Sequence, residues 1–125
     1  MMNNKMVGTY FERKMCNLLG NEGWWVHFIE PKQSGAQPFD IVAVKNGRAI
    51  AIDCKTCVNS RFSIDRLEDN QIYAFEKWLR CGNEMPYIAV EHEDDVYMIP
   101  YGYLRDKQSV KLKELQWAKW GVLPV

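Results

Sequence analysis

The sequence predicts an α/β fold, a central mixed β-sheet flanked by helices. Three observations predict it. Residues 39–45 and 48–57 are two apolar runs joined by Asn46-Gly47, the strongest short-range signal for a two-residue hairpin turn. Both faces of that hairpin are apolar away from one end, as in a sheet covered on both sides. Helical periodicity marks the segments 4–20 and 65–80 on either side of it.

The Asn46-Gly47 turn sets the register. Lys45 pairs with Arg48, Val44 with Ala49, Ala43 with Ile50, Val42 with Ala51 and Ile41 with Ile52. Asp40 then falls opposite Asp53. Paired residues share a face, with Cβ atoms roughly 4.5–5.5 Å apart. Two carboxylates at that spacing repel unless something offsets them, and a divalent cation does so. Lys55 lies two residues beyond Asp53 and projects on the same face. One end of one sheet face therefore gathers two acids and an ammonium. Val42, Val44, Ala49 and Ala51 share that face; Ile41, Ala43, Ile50, Ile52 and Cys54 line the other.

The remaining elements follow in order. Val7, Tyr10, Phe11, Met15, Leu18 and Leu19 give the first helix its apolar stripe, with Asn3 or Asn4 to start it and Gly20 to end it. Glu12 sits on the border of that stripe. Residues 23–29 are aromatic and β-branched and read as a strand. Residues 30–37 form a loop with Pro31, Ser34 and Gly35, and residues 58–64 an irregular crossing. The second helix, 65–80, starts at Asp65-x-x-Glu68, a capping box with an aspartate cap, and ends at Cys81-Gly82. Gln71 interrupts its stripe of Leu67, Phe75, Trp78 and Leu79. Residues 86–91 and 96–100 form a second hairpin turned by Glu93-Asp94-Asp95. In the tail, Tyr103-Leu104 begins a short helix and residues 111–120 another, with Trp117, Trp120 and Val122 as core or interface.

Composition bounds the function. The 125 residues suit one domain, spanning 1–125. No apolar run approaches the roughly 18 residues of a membrane helix, and the first residues lack a secretory leader pattern, so a cytoplasmic protein is expected. Sixteen Lys and Arg balance sixteen Asp and Glu. Zero net charge counts against a nucleic-acid partner, unless clustered acids hide a basic face. Lys5, Arg13, Lys14, Lys32, Arg61 and Arg66 are the candidates for such a face, and Glu91 to Asp95 read as a solvated turn. Cys16, Cys54, Cys57 and Cys81 form no disulfide framework in an unexported chain. Cys54 and Cys57 point to opposite faces of a strand, which excludes a shared zinc and leaves buried thiols. His27 and His92 make no recognisable motif.

Asp40, the hairpin, Asp53-Cys54-Lys55, the helical Glu12 and the downstream Gln71 together resemble the PD-(D/E)XK nuclease superfamily. Within it they are most similar to the small Holliday junction resolvases of archaeal and bacterial or phage type. Ser34-Gly35 is similar to the serine-glycine loop of the archaeal branch. Two departures stand out: Pro38 sits one position early, and Asp53 replaces the glutamate of many members. The resemblance implies a restriction-endonuclease-like fold. It implies an endonuclease, dependent on Mg2+ or Mn2+, that cuts branched DNA as a homodimer. It implies that Asp40, Asp53, the Cys54 carbonyl and Glu12 hold the metal, that Lys55 orients water or stabilises charge, and that Gln71 bonds a metal-bound water or phosphate. Ser34, Lys32 and Arg61 become candidate DNA contacts, and Trp24-Trp25 with the tail aromatics candidate interface. Plainer roles exist for three of these residues: a border salt bridge for Glu12, a backbone-satisfied amide for Gln71 and a surface pair for Lys55. Three other functions fit the pattern: a restriction, repair or replication nuclease of the same superfamily, a non-catalytic nucleic-acid-binding module, or an interaction protein whose acids hold a structural ion.

Overall fold

A computed structural model describes residues 4–30 and 37–121. The elements in chain order are α1 (Asn4–Asn21), β1 (Trp25–Phe28), β2 (Ile41–Lys45), β3 (Arg48–Thr56), β4 (Arg61–Ser63), α2 (Asp69–Arg80), β5 (Tyr87–His92), β6 (Asp95–Pro100), α3 (Tyr101–Lys107) and β7 (Ser109–Lys111). Five strands form one sheet in the order β1-β2-β3-β5-β6, and β4 pairs with β7 in a separate ribbon. β3 and β5 run parallel, joined by the crossover that contains α2, while β1–β2, β2–β3 and β5–β6 are antiparallel. The sheet is mixed, as the sequence predicts.

The first hairpin has the register its turn dictates, from Lys45↔Arg48 to Ile41↔Ile52. Asn46 and Gly47 both take positive φ, 52° and 77°, as a type I′ turn requires. Beyond the last ladder pair the register slips by one residue: the Asp40 amide donates to the Ile52 carbonyl at 3.1 Å. Asp40 therefore lies beside Ile41 against Ile52, as in a β-bulge, and not directly opposite Asp53 as the turn alone predicts. The Ile29 amide donates to the Asp40 carbonyl at 2.7 Å. Asp40 is therefore held on both sides by backbone.

Alternation divides the core into two layers. On one face Phe11, Met15 and Leu19 of α1 pack against Ile41, Ala43, Ile50 and Ile52. On the other, Leu67 and Phe75 pack with Ala51, Ile88, Val90 and Ile99. Phe39 stacks on Phe75 at 5.9 Å and meets Trp78 edge-on at 5.7 Å, which seals the α2 layer beside Asp40. Cys54 and Cys57 belong to opposite layers, and all four cysteines are free thiols.

The structure departs from expectation in four further places. α2 begins at Asp69 rather than 65. The Ser63 hydroxyl accepts the Asp65 amide and caps a 3-10 turn at Ile64–Arg66, a local bond that competes with helix. The capping box falls three residues later, where Gln71 Oε1 accepts the Glu68 amide at 3.0 Å. The crossing at 58–64 contains β4, whose pairing with β7 is not legible from so short a segment. The second hairpin turns on two residues, Glu93-Asp94, and Asp95 is already in β6, opposite His92. The segment 111–120 forms β7's end and two 3-10 turns instead of a helix. In addition, Trp24 lies in the core while Trp25 is 63% exposed, so only the latter remains available for an interface. Val122 lies outside the described residues.

Glu93 and Asp94 take φ of 50° and 66°, a left-handed conformation that costs a side-chain-bearing residue about 1–2 kcal/mol. Asp94→Gly is expected to stabilise the protein by about 1 kcal/mol. A urea midpoint that stays unchanged or falls contradicts this account of the turn.

Candidate active site

The acids meet where β2 ends and β3 continues. Asp53 is fully buried and Asp40 is 5% exposed. Asp40 Oδ2 accepts the Cys54 amide at 2.7 Å. A strand residue's N–H and C=O lie along the same strand edge, so the Cys54 carbonyl also lies on the Asp40 side, past the last β2–β3 pair. Gln71 Nε2 donates to Asp53 Oδ1 at 2.9 Å. Lys55 Nζ donates to Gln71 Oε1 at 3.3 Å and lies 3.4 Å from Asp53 Oδ2. That last contact is an ion pair without hydrogen-bond geometry. Asp53 Oδ2 has no hydrogen-bond partner among the described residues.

Gln71 thus fills a structural role and a site role together. Its oxygen caps α2 through the Glu68 amide and accepts from Lys55, and its nitrogen satisfies Asp53. The Glu68-x-x-Gln71 spacing that signals this cap is visible in the sequence; Asp65-x-x-Glu68, one turn earlier, competes with it.

Glu12 arrives from the opposite layer. α1 covers the other sheet face, and Glu12, half-buried, feels both Asp40 and Lys55 round the end of the sheet. Burial pushes its carboxyl from 4.5 up to about 7, the Asp40 charge adds to the rise, and Lys55 opposes it. Burial likewise pushes Asp53 well above the ordinary carboxylate range, with Asp40 adding and Lys55 opposing. The border salt bridge considered for Glu12 does not form with Lys14, which pairs with Glu91 at 2.7 Å.

The site fits a hard divalent cation. Two facing carboxylates repel, one of them keeps an unpartnered buried oxygen, and a single ammonium does not balance both. Among the described residues no three His, Cys, Asp or Glu side chains gather closely enough to hold a metal by themselves. Asp40 and Asp53 would need carbonyl and water oxygens to complete the shell. Magnesium accepts such a set, since it takes one or two carboxylates and keeps several waters.

The other expected contacts are placed differently. Ser34 and Lys32 lie outside the described residues. Arg61 is in β4, where its Nη1 donates to the Ser109 hydroxyl of β7 at 2.8 Å. Arg66 donates to the Thr56 carbonyl at 2.9 Å. Sequence reasoning misses the Lys14–Glu91 pair and the bond from Asn70 to the Gln37 carbonyl; both join segments distant in the chain, with no spacing signal. His92 is buried, its Nδ1 2.9 Å from the Cys57 carbonyl, and His27 is exposed.

A mixed sheet flanked by helices, with Asp40, Asp53 and Lys55 at one end, is the PD-(D/E)XK nuclease arrangement. Residues 3–117 match the family model described as archaeal Holliday junction resolvase (Hjc), and the chain belongs to that family. A curated relative is the crossover junction endodeoxyribonuclease Hjc of Methanocaldococcus jannaschii, 25% identical over 92 residues. The match covers 74% of this chain and 64% of that relative's length. Among solved structures, Hjc of Archaeoglobus fulgidus, a Holliday junction resolvase from an archaeal hyperthermophile, is similar with a TM-score of 0.59 and 22% identity. That match covers 74% of this chain and 75% of the other. The bacterial homing endonuclease I-Ssp6803I is similar with a TM-score of 0.62 and 14% identity, covering 88% and 75%. At these identities the two structures bear on the fold alone. Among the described residues no helix is long and apolar enough to cross a membrane.

The electrostatics and Gln71 each lead to a measurable outcome. The folded protein holds the Glu12 proton more tightly than the unfolded chain does. That stabilisation is complete below about pH 4.5 and is lost as pH rises through about 7; Asp53 acts in the same direction. Metal-free protein should therefore lose denaturant resistance across this window, and Glu12→Gln should flatten the loss. A profile that rises across it contradicts the assignment. Gln71→Leu leaves a buried Asp53 oxygen and the Glu68 amide without their partner, and should cost about 1–3 kcal/mol. The sequence alone predicts no such loss, since leucine extends the apolar stripe; equilibrium unfolding decides between the two.

Proposed function

We propose that this protein is a Mg2+- or Mn2+-dependent endonuclease that hydrolyses phosphodiester bonds in branched DNA, acting as a Holliday junction resolvase. The observation that carries this reading is the buried Asp40–Asp53 pair with Lys55 beside it. Membership of the Hjc family supports it, as does the likeness to the crossover junction endodeoxyribonuclease of M. jannaschii.

Asp40, Asp53 and the Cys54 carbonyl would hold the ion. Glu12, which does not gather with the two aspartates closely enough to ligate beside them, would assist from α1 through its charge. A bound divalent ion supplies positive charge to the scissile phosphate and lowers the pKa of water beside it. Lys55 keeps 18% of its side chain exposed, so its ammonium can reach a phosphate while Asp53 remains buried. It orients the attacking water or offsets charge growing on the phosphate. Gln71 fixes Lys55 and Asp53 in one geometry through bonds to both, so the start of α2 acts as a rigid support for the site. Chain 1–125 acts as one catalytic unit in the cytoplasm. It works as a symmetric homodimer, whose two active sites match the symmetry of a four-way junction and engage two arms together. Trp25, exposed on β1, is a candidate for that interface.

A second reading is another nuclease of the same superfamily, of restriction, repair or replication type, that cleaves unbranched duplex. Cleavage of linear duplex, single strand, flap and four-way junction with magnesium or manganese separates the two. The resolvase reading expects junction cleavage to exceed duplex cleavage at moderate salt, by a dimer in solution. A monomer that cuts both equally overturns it and leaves a general nuclease. Asp53→Asn should reduce cleavage by more than roughly 100-fold and weaken magnesium binding. It should leave the metal-free fold at least as stable, because a like-charge repulsion is removed. Unaltered magnesium affinity in calorimetry would exclude Asp53 as a ligand.

A further inference from the structure

The β4–β7 ribbon carries a second like-charge pair, of the opposite sign. Its register sets Arg61 against Lys111, Phe62 against Val110 and Ser63 against Ser109. Phe62 and Val110 are buried in the core. Alternation then turns Arg61 and Lys111 outward on one face, with Cβ atoms roughly 4.5–5.5 Å apart. Two cations so placed destabilise the ribbon unless an anion lies between them. Among the described residues Arg61 meets only the uncharged Ser109 hydroxyl, at 2.8 Å. Lys111 Nζ is 4.0 Å from Glu114, an exposed pair of little strength.

The pair borders a groove of about 290 Å3 lined also by Lys107, Tyr103 and Trp117. Lys107 Nζ lies 5.7 Å from the Tyr103 ring, and Tyr103 meets Trp117 edge-on at 5.2 Å. Trp117 is 45% exposed. Three cations thus face a single carboxylate, Glu114, beside an exposed aromatic rim. Cations converging on a groove with aromatic side chains suit a nucleic-acid backbone. The groove is also near the acid cluster along the chain. Arg61 follows Lys55 by six residues, a reach of no more than roughly 20 Å, which is about six steps of a DNA strand at about 3.4 Å each.

We propose that this groove is a second phosphate-binding surface, which holds the backbone of one DNA arm within about six nucleotides of the cleaved bond. It gives a chain of zero net charge a local basic face. The proposal rests on the DNA-cleaving reading above and adds to it residues that lie outside the acid cluster and its supports.

The test is a Lys107→Gln, Lys111→Gln double variant, with Glu114→Gln as its converse. Binding to a four-way junction is measured across a salt series in EDTA, and cleavage is measured with magnesium at saturating DNA. Each lost phosphate contact should lower the slope of log affinity against log salt by about 1. The double variant should lose roughly 10-fold in affinity and about 2 in slope, with its saturated cleavage rate unchanged. Glu114→Gln should bind more tightly than wild type. Wild-type affinity and slope in the double variant overturn the groove alone. A wild type that binds no DNA overturns the groove and the nuclease reading together.

Discussion

The structure turns on one repulsion, between Asp40 and Asp53 at the end of the first hairpin. Two residues create it: Asn46 and Gly47 adopt the positive φ values of a type I′ turn and leave one register open to the strands. A slip by one residue within the ladder would send the apolar set to the wrong layers, so the core enforces the register that carries Asp53 to the strand end, where Asp40, one residue out of register, meets it. Burial raises the carboxyls of Asp53 and Glu12 above the ordinary range, and the Asp40 charge adds to both. The stability lost there is recovered from the two apolar layers on either side.

The neighbouring elements serve that point in different ways. α1 brings Glu12 from one layer and α2 brings Gln71 from the other, so the site lies where both layers reach the sheet's end. Gln71 ties the first turn of α2 to the acids, because one amide caps the helix and satisfies Asp53. One side chain therefore joins the start of α2 to the acid pair. Phe39, stacked on Phe75, anchors the chain beside Asp40 in the same layer.

What can be read from the sequence follows strong local rules. The hairpin register, both major helices and the two-layer core come from turn chemistry and periodicity. The register brings the acids to the same strand end, but the one-residue slip at Asp40 that sets their contact carries no sequence signal. The start of α2 is harder to place, because Asp65 and Glu68 offer competing caps and only Glu68 is used. The β4–β7 ribbon stays hidden because three-residue strands carry no periodicity, and the partner of β4 lies in the tail. Trp24 and Trp25 look alike in sequence, yet one enters the core and the other faces outward, as strand alternation demands once the edge position is known. Lys32 and Ser34 lie outside the described residues.

The central claim is that Asp40 and Asp53 share one divalent ion. The most direct measurement is an anomalous difference map from crystals soaked in manganese. The account predicts a single strong peak between the two carboxylates, with ligand oxygens at about 2.0–2.2 Å, also within reach of the Cys54 carbonyl. A peak elsewhere, or none in crystals of a protein that cuts DNA with manganese in solution, would contradict it.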